Sequence, residues 1–132
     1  MSLPDCPEPS LTTPYKSRPG LSRVWHAARY SRDGLLAAFR HEAFRQELAV
    51  GLPLIALAWS IAPGAWHALA MTLSIVAVFV VELLNSAIEA LADTVSLESH
   101  PLIKRAKDMG SAAVMLSIAA AVLVWFVALV QR

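Results

Sequence analysis

From Leu48 to Val81 the chain carries no Asp, Glu, Lys or Arg, and Pro63-Gly64 is the one turn signal that cuts this run in two. Few environments accept so long an uncharged stretch. A helix of about 20 apolar residues crosses the hydrocarbon core of a bilayer, so the run predicts two spans, about 44–62 and 66–93. A third, 109–130, is uninterrupted and apolar. The first is short and holds Pro53, which neighbouring helices can tolerate if they satisfy the freed carbonyl. Of the 132 residues, 57% are hydrophobic and 16% charged. A soluble domain of this size could not hide that much apolar surface. The reading is an all-α membrane protein.

The segments outside the spans are polar and distinct. Residues 1–20 hold Pro4, Pro7, Pro9, Pro14 and Pro19 among Ser, Thr and Asp, the composition of a disordered leader. Residues 21–132 then form one membrane domain. Its first part, about 21–42, reads as a basic amphipathic surface helix: Val24, Ala27, Ala28, Leu35, Ala38 and Phe39 recur among Arg23, Arg29, Arg32 and Arg40. Gly34 is expected to break or bend it, with Ser31 or Asp33 capping a second helical segment beyond the bend. Cys6 is the only cysteine, so no internal disulfide forms and no Cys/His metal spacing exists. The first 30 residues lack a secretory signal. A net charge of +1, with no basic run interleaved with aromatics, argues against nucleic acid as a partner.

Basic residues set the expected orientation. Seven of eleven Lys/Arg precede the first span, three (Lys104, Arg105, Lys107) lie between the second and third, and the Pro63-Gly64 turn has none. The positive-inside rule places the N-terminus and the 93–108 loop in the cytoplasm, and the turn and C-terminus outside.

The second span ends in Glu82-Leu83-Leu84-Asn85-Ser86-Ala87-Ile88-Glu89. Glu82, Asn85, Ser86 and Glu89 share one helical face. Ionisable groups inside a membrane helix are costly and usually mark a site. At the same depth stand Glu42 and Glu47 with His41, Arg45 and Gln46, then Glu98 and His100, then Lys107-Asp108. Carboxylates with phosphate oxygens are what Mg²⁺ binds. A carboxylate near a hydroxyl serves as general base, and Lys and Arg neutralise phosphate. The set suits phosphoryl transfer to a lipid hydroxyl. No P-loop or G-x-G-x-x-G is present. Pattern alone leaves a lipid kinase and a proton-coupled transporter subunit both open.

Three strings carry more than pattern. "VELLNSAIEALAD" (81–93), "HPLIKRAKDMGSAAV" (100–114) and "EAFRQE" (42–47) closely resemble the prokaryotic diacylglycerol kinase family, as do "RVWHAARYS" (23–31) and "GLLAAF" (34–39). The resemblance runs from about Arg23 to the end. It implies a homotrimeric helical bundle of three-span subunits, each with a surface helix, in the bacterial inner membrane. Active sites would form between subunits at the cytoplasmic interface, where ATP with Mg²⁺ phosphorylates diacylglycerol to phosphatidic acid.

The resemblance also implies roles. Glu82 would be the general base, supported by Asn85. Glu42 and Glu89 would hold the metal. Lys107 and Asp108 would hold the nucleotide, with Glu98 and His100 near adenine and ribose, and Arg23 and Tyr30 contributing from the surface helix. Ser31, Arg45, Gln46, Glu47 and Ser111 would line the lipid site. The family usually reads E-A-A-F-R-Q-E where this chain has E-A-F-R-Q-E, one Ala shorter. Aligned from the left, Glu42 is the metal ligand; aligned from the right, His41 takes its place. The harder carboxylate favours Glu42, with a kink near Gly34 or at the head of the first span absorbing the missing residue. Undecaprenol, phosphorylated by related Gram-positive proteins, is the alternative acceptor. "KDMGSAA" and "FRQE" look more like the diacylglycerol branch. Trp25, Trp59, Trp66 and Trp125 read as interfacial or packing aromatics, His26 and His67 as surface residues, and Gly51 and Gly110–Ala113 as small-residue helix packing.

Overall fold

A computed structural model describes residues 21–95 and 100–131. The leader 1–20, with Cys6, and the segment 96–99 lie outside the described residues. All described secondary structure is helical: α1 (Leu21–Ala38), α2 (Glu42–Ile61), α3 (Ala65–Val95) and α4 (Pro101–Val130). The chain divides into two units, one ending at Gly34 and one starting at Leu35.

α1 runs through Gly34 without a break. A helix interior tolerates a glycine at a cost of about 1 kcal/mol, so neither Ser31 nor Asp33 caps a second helix. The break falls instead at Phe39–His41, where Arg40 N–H and His41 N–H bond back to Ala37 O and Ala38 O. Phe39 and Phe44 meet edge to face across it, ring centroids 5.8 Å apart, and Phe44 is buried. The turn is therefore held by packing; His41, the N-cap of α2, makes no side-chain capping bond. Glu42 then occupies the first turn of α2, where a carboxylate suits the helix dipole.

α2 contributes Phe44, Gly51 and Ala58 to the interior, seven residues apart each time. Gly51 lets α2 lie close on α3: a Cβ there would stand 2.7 Å from Phe79 Cε1 and 2.9 Å from Ile75 Cγ2. The buried stripe of α3 is Ala68, Met71, Ile75, Val78, Glu82 and Asn85, in steps of three and four that keep one face inward, with Ser86 and Ala92 beyond. α4 returns antiparallel and buries only Gly110, Ala121 and Ala128. Small residues at these points allow close helix approach.

Ala58, Met71 and Ala128 form one apolar cluster, with Ile61 and Trp125 against it. Ile75, Val78 and Ala121 form the next, also packed by Trp125. Trp125 thus belongs to the interior, and its indole N–H donates to Met71 O at 3.3 Å. Trp25, Trp59 and Trp66 are exposed. His67 has a partner: its Nε2 lies 3.1 Å from Gln131 Oε1.

α3 and α4 are long and apolar enough to cross a membrane. α4 exposes large apolar side chains along its length, among them Met115, Leu116, Val122, Leu123 and Phe126. Such a surface belongs in lipid, and the chain is a membrane protein. α2 is shorter in apolar length. Glu42, Arg45, Gln46 and Glu47 fill its first turns and leave residues 48–61 as its uncharged part. α4 begins at Pro101, which sits at the start of a helix without loss of a bond. Its uncharged portion begins at Met109, two turns in.

Candidate active site

Where α3 nears its C-terminal end, the stripe turns polar. Glu82, Asn85 and Ser86 are all buried; Glu82 retains 4% of its surface. Asn85 Nδ2 donates to Glu89 Oε1 at 3.1 Å. Asn85 Oδ1 points at α4 and finds no partner, and Ser86 Oγ is likewise buried and unpartnered. Only glycine fits opposite: a Cβ at Gly110 would collide with Asn85 Oδ1. Gly110 in the "AKDMGSAA" string is therefore what lets α4 close over the polar stripe.

Beside this contact opens a cavity of about 420 Å³ lined by Glu47, Glu82, Asn85, Glu89 and Ser111, with Ala43, Val114, Met115 and Ile118. Three carboxylates and a carboxamide thus share one hollow between α2, α3 and α4. Glu47 Oε2 is buried there without a partner. An apolar groove of about 630 Å³ adjoins it, sharing Glu47 and Ile118 and running past Gly51, Phe79 and Ile75 to Trp125. Gln46 lines the same groove.

Other expected site residues lie elsewhere. Glu42 opens on a separate hollow with Phe39, Arg45, Gln46, Leu48, Ala49 and Leu52. Gln46 Nε2 donates to Glu42 Oε1 at 3.4 Å. Within one chain Glu42 and Glu89 are therefore not brought together. Helical geometry explains it: residues five apart differ by about 140° around the axis, so Glu42 and Glu47 cannot both face Glu82. That signal was available in the "EAFRQE" spacing. Glu47, expected in the lipid site, is the α2 carboxylate that joins Glu82. His41 is half-buried at the head of α2.

At the head of α4, Lys107 Nζ donates to Asp93 Oδ1 at 2.8 Å. That bond holds the Lys107 ammonium above its ordinary pKa, helped by the Asp93 and Glu89 charges. Asp108 pairs with Lys104 at 2.6 Å, one turn away. His100 is the N-cap of α4; its Nδ1 accepts from Leu102 N–H at 3.3 Å. Arg23, Tyr30 and Ser31 are exposed on the first unit's part of α1, where His26 and Tyr30 rings lie 6.4 Å apart. Glu98 lies outside the described residues. The sequence pattern gives Asp93 no role of its own. Its position one turn past Glu89 on the same face was the signal.

Known proteins match this sequence over most of its length. The profile of the family described as prokaryotic diacylglycerol kinase matches residues 29–129. The chain belongs to this family. It is 45% identical to the diacylglycerol kinase of Pseudomonas aeruginosa over 114 residues, 86% of this chain and 93% of the relative. It is 46% identical to the diacylglycerol kinase of Escherichia coli over 112 residues, 83% and 91% of the two chains. The diacylglycerol kinase of Helicobacter pylori is 40% identical over 107 residues, 80% and 84%. Family membership covers α2, α3 and nearly all of α4, and with them every residue of the polar cavity.

Proposed function

We propose that the chain transfers the γ-phosphoryl group of ATP to the free hydroxyl of diacylglycerol, yielding phosphatidic acid and ADP at a membrane surface. The observation that carries this reading is the polar cavity of Glu47, Glu82, Asn85 and Glu89 opening into an apolar groove. An amphiphilic alcohol needs both: a polar hollow for its hydroxyl and an apolar cleft for a chain. The relatives named diacylglycerol kinase favour that acceptor over a polyprenol.

Glu82 acts as the base. It accepts the hydroxyl proton as the acceptor oxygen bonds to the γ-phosphorus; the bond from phosphorus to the β–γ bridging oxygen breaks, and ADP leaves. Asn85 steadies Glu89 through its 3.1 Å bond and stands between it and Glu82, about one turn from each. Gln46, Glu47 and Ser111 line the acceptor's approach, with Arg45 nearer the headgroup region. Lys107 and Asp108 take the nucleotide, with Glu98 and His100 near adenine and ribose.

Among the described residues no three His, Cys, Asp or Glu side chains gather as a ready metal site. Mg²⁺ that arrives with a nucleotide needs only one or two carboxylates, because phosphates and waters fill its remaining positions. Glu89 fits that requirement, and Mg²⁺ bound there would offset phosphate charge. Glu42 would add a second carboxylate from a neighbouring copy, since it opens away from its own Glu89. A homotrimer with sites between subunits accommodates this. The unpartnered stripe Leu73, Val76, Val80, Leu84 and Ile88 on α3 supplies an apolar seam for it. In this assembly α2 is a third span, the polar cavity faces the cytoplasm with the N-terminus, and the C-terminus lies outside the inner membrane.

The test is turnover of the purified chain in lipid micelles with MgATP and diacylglycerol. Glu82→Gln should lower kcat by roughly 10²–10⁴-fold, the usual contribution of a general base, while the oligomer stays intact. An unchanged rate would refute the assignment.

A further inference from the structure

We propose that Asp93 is a positioning residue for the nucleotide: its carboxylate fixes the Lys107 ammonium at the mouth of the polar cavity, aimed at the phosphates. The inference rests on the function proposed above and adds a residue to it.

The geometry begins with the helix register. Asp93 stands one turn beyond Glu89 on α3, and Lys107 one turn ahead of Ser111 on α4. Glu89 and Ser111 both line the cavity. The Lys107–Asp93 bond, 2.8 Å long, therefore spans α3 and α4 one turn out from the cavity lining. The cavity itself holds Glu47, Glu82 and Glu89, and a polyanionic nucleotide approaching three carboxylates is repelled. A fixed cation at its edge offsets that repulsion, beside the Mg²⁺ that Glu89 would hold.

Lysine alone does not stay in a fixed place. Its ammonium is a point charge on a flexible four-carbon stem. Asp93 removes that freedom before the nucleotide arrives. An ammonium has three N–H donors; Asp93 engages one, and two remain for phosphate oxygens. The side chains of Lys107 and Asp93 are 39% and 59% exposed, so a nucleotide can reach the ammonium while it is held. The same exposure argues against a purely structural purpose, since ion pairs in water contribute little to stability. Lys104 and Asp108 make the contrasting pair: both lie on α4, a turn apart, and bridge nothing.

The experiment is steady-state kinetics of the full chain with diacylglycerol and varied MgATP, for the wild type, Asp93→Asn, Asp93→Glu, Lys107→Gln and the double variant Asp93→Asn/Lys107→Gln. Asp93→Asn should raise the KM for MgATP roughly tenfold and leave kcat within about threefold, the pattern of lost binding rather than lost chemistry. Asp93→Glu should restore most of the affinity. The double variant should be no worse than Lys107→Gln, because Asp93 acts only through that lysine. Calorimetric titration with a non-hydrolysable MgATP analogue reads the same affinity without turnover. A wild-type KM and analogue affinity in Asp93→Asn, or full additivity in the double variant, overturns the proposal. Failure of the functional reading looks different: the wild type would then neither phosphorylate diacylglycerol nor bind the analogue.

Discussion

The two ends of the α3–α4 hairpin are built alike and filled differently. At one end, Met71, Ala58 and Ala128 close on each other as an ordinary apolar core, and the single indole N–H among them finds Met71 O. At the other, the same stripe of α3 carries Glu82, Asn85 and Ser86, and α4 thins to Gly110 to admit them. Asn85 Oδ1, Ser86 Oγ and Glu47 Oε2 are left buried without partners. Each such atom costs stability, and the apolar end shows that this helix pair packs well without them. On the function proposed above, the polar end keeps these groups for chemistry at the cost of packing.

The comparison breaks if the two ends respond alike to substitution. Met71→Ala should have the largest effect on stability, about 2–4 kcal/mol, because Met71 is fully buried and its loss leaves a cavity. Kinetic constants per folded chain should hold, since Met71 is far along the helix from Glu82; differential scanning calorimetry with parallel assays checks both. Gly110→Ala should cost less, about 1–3 kcal/mol, as Asn85 shifts to relieve the collision. Here kcat should fall as well, because Asn85 holds Glu89. Trp125→Phe keeps the ring packing and loses the bond to Met71 O. It should cost only about 0.5–1.5 kcal/mol with no kinetic change, which a melting curve would show.

Much of this division is legible in the sequence. Hydropathy marks α3 and the uncharged part of α4, Pro63-Gly64 marks the turn between α2 and α3, and the spacing of Glu82, Asn85 and Glu89 marks their common face. What the sequence hid depends on helix phase and on contacts between helices. The bend after α1 lies at Phe39–His41, where two phenylalanines pack, and not at Gly34, because one glycine does not break a helix held on both sides. That bend sets the phase of α2, and the phase decides that Glu47 and not Glu42 faces Glu82. Asp93 gained a role only once α4 had folded back to bring Lys107 within 2.8 Å. Gly110 read as generic small-residue packing; its opposite number, Asn85, is visible only in three dimensions.

The most direct test of a polar end kept for chemistry reads turnover and stability on one variant, Glu82→Gln. The substitution preserves shape and removes the ability to accept a proton, so a functional carboxylate and a structural one give opposite results. The account predicts that phosphorylation of diacylglycerol falls by roughly 10²-fold or more while the melting temperature holds or rises. Retained turnover, or lost turnover accompanied by a collapse in melting temperature, would contradict it.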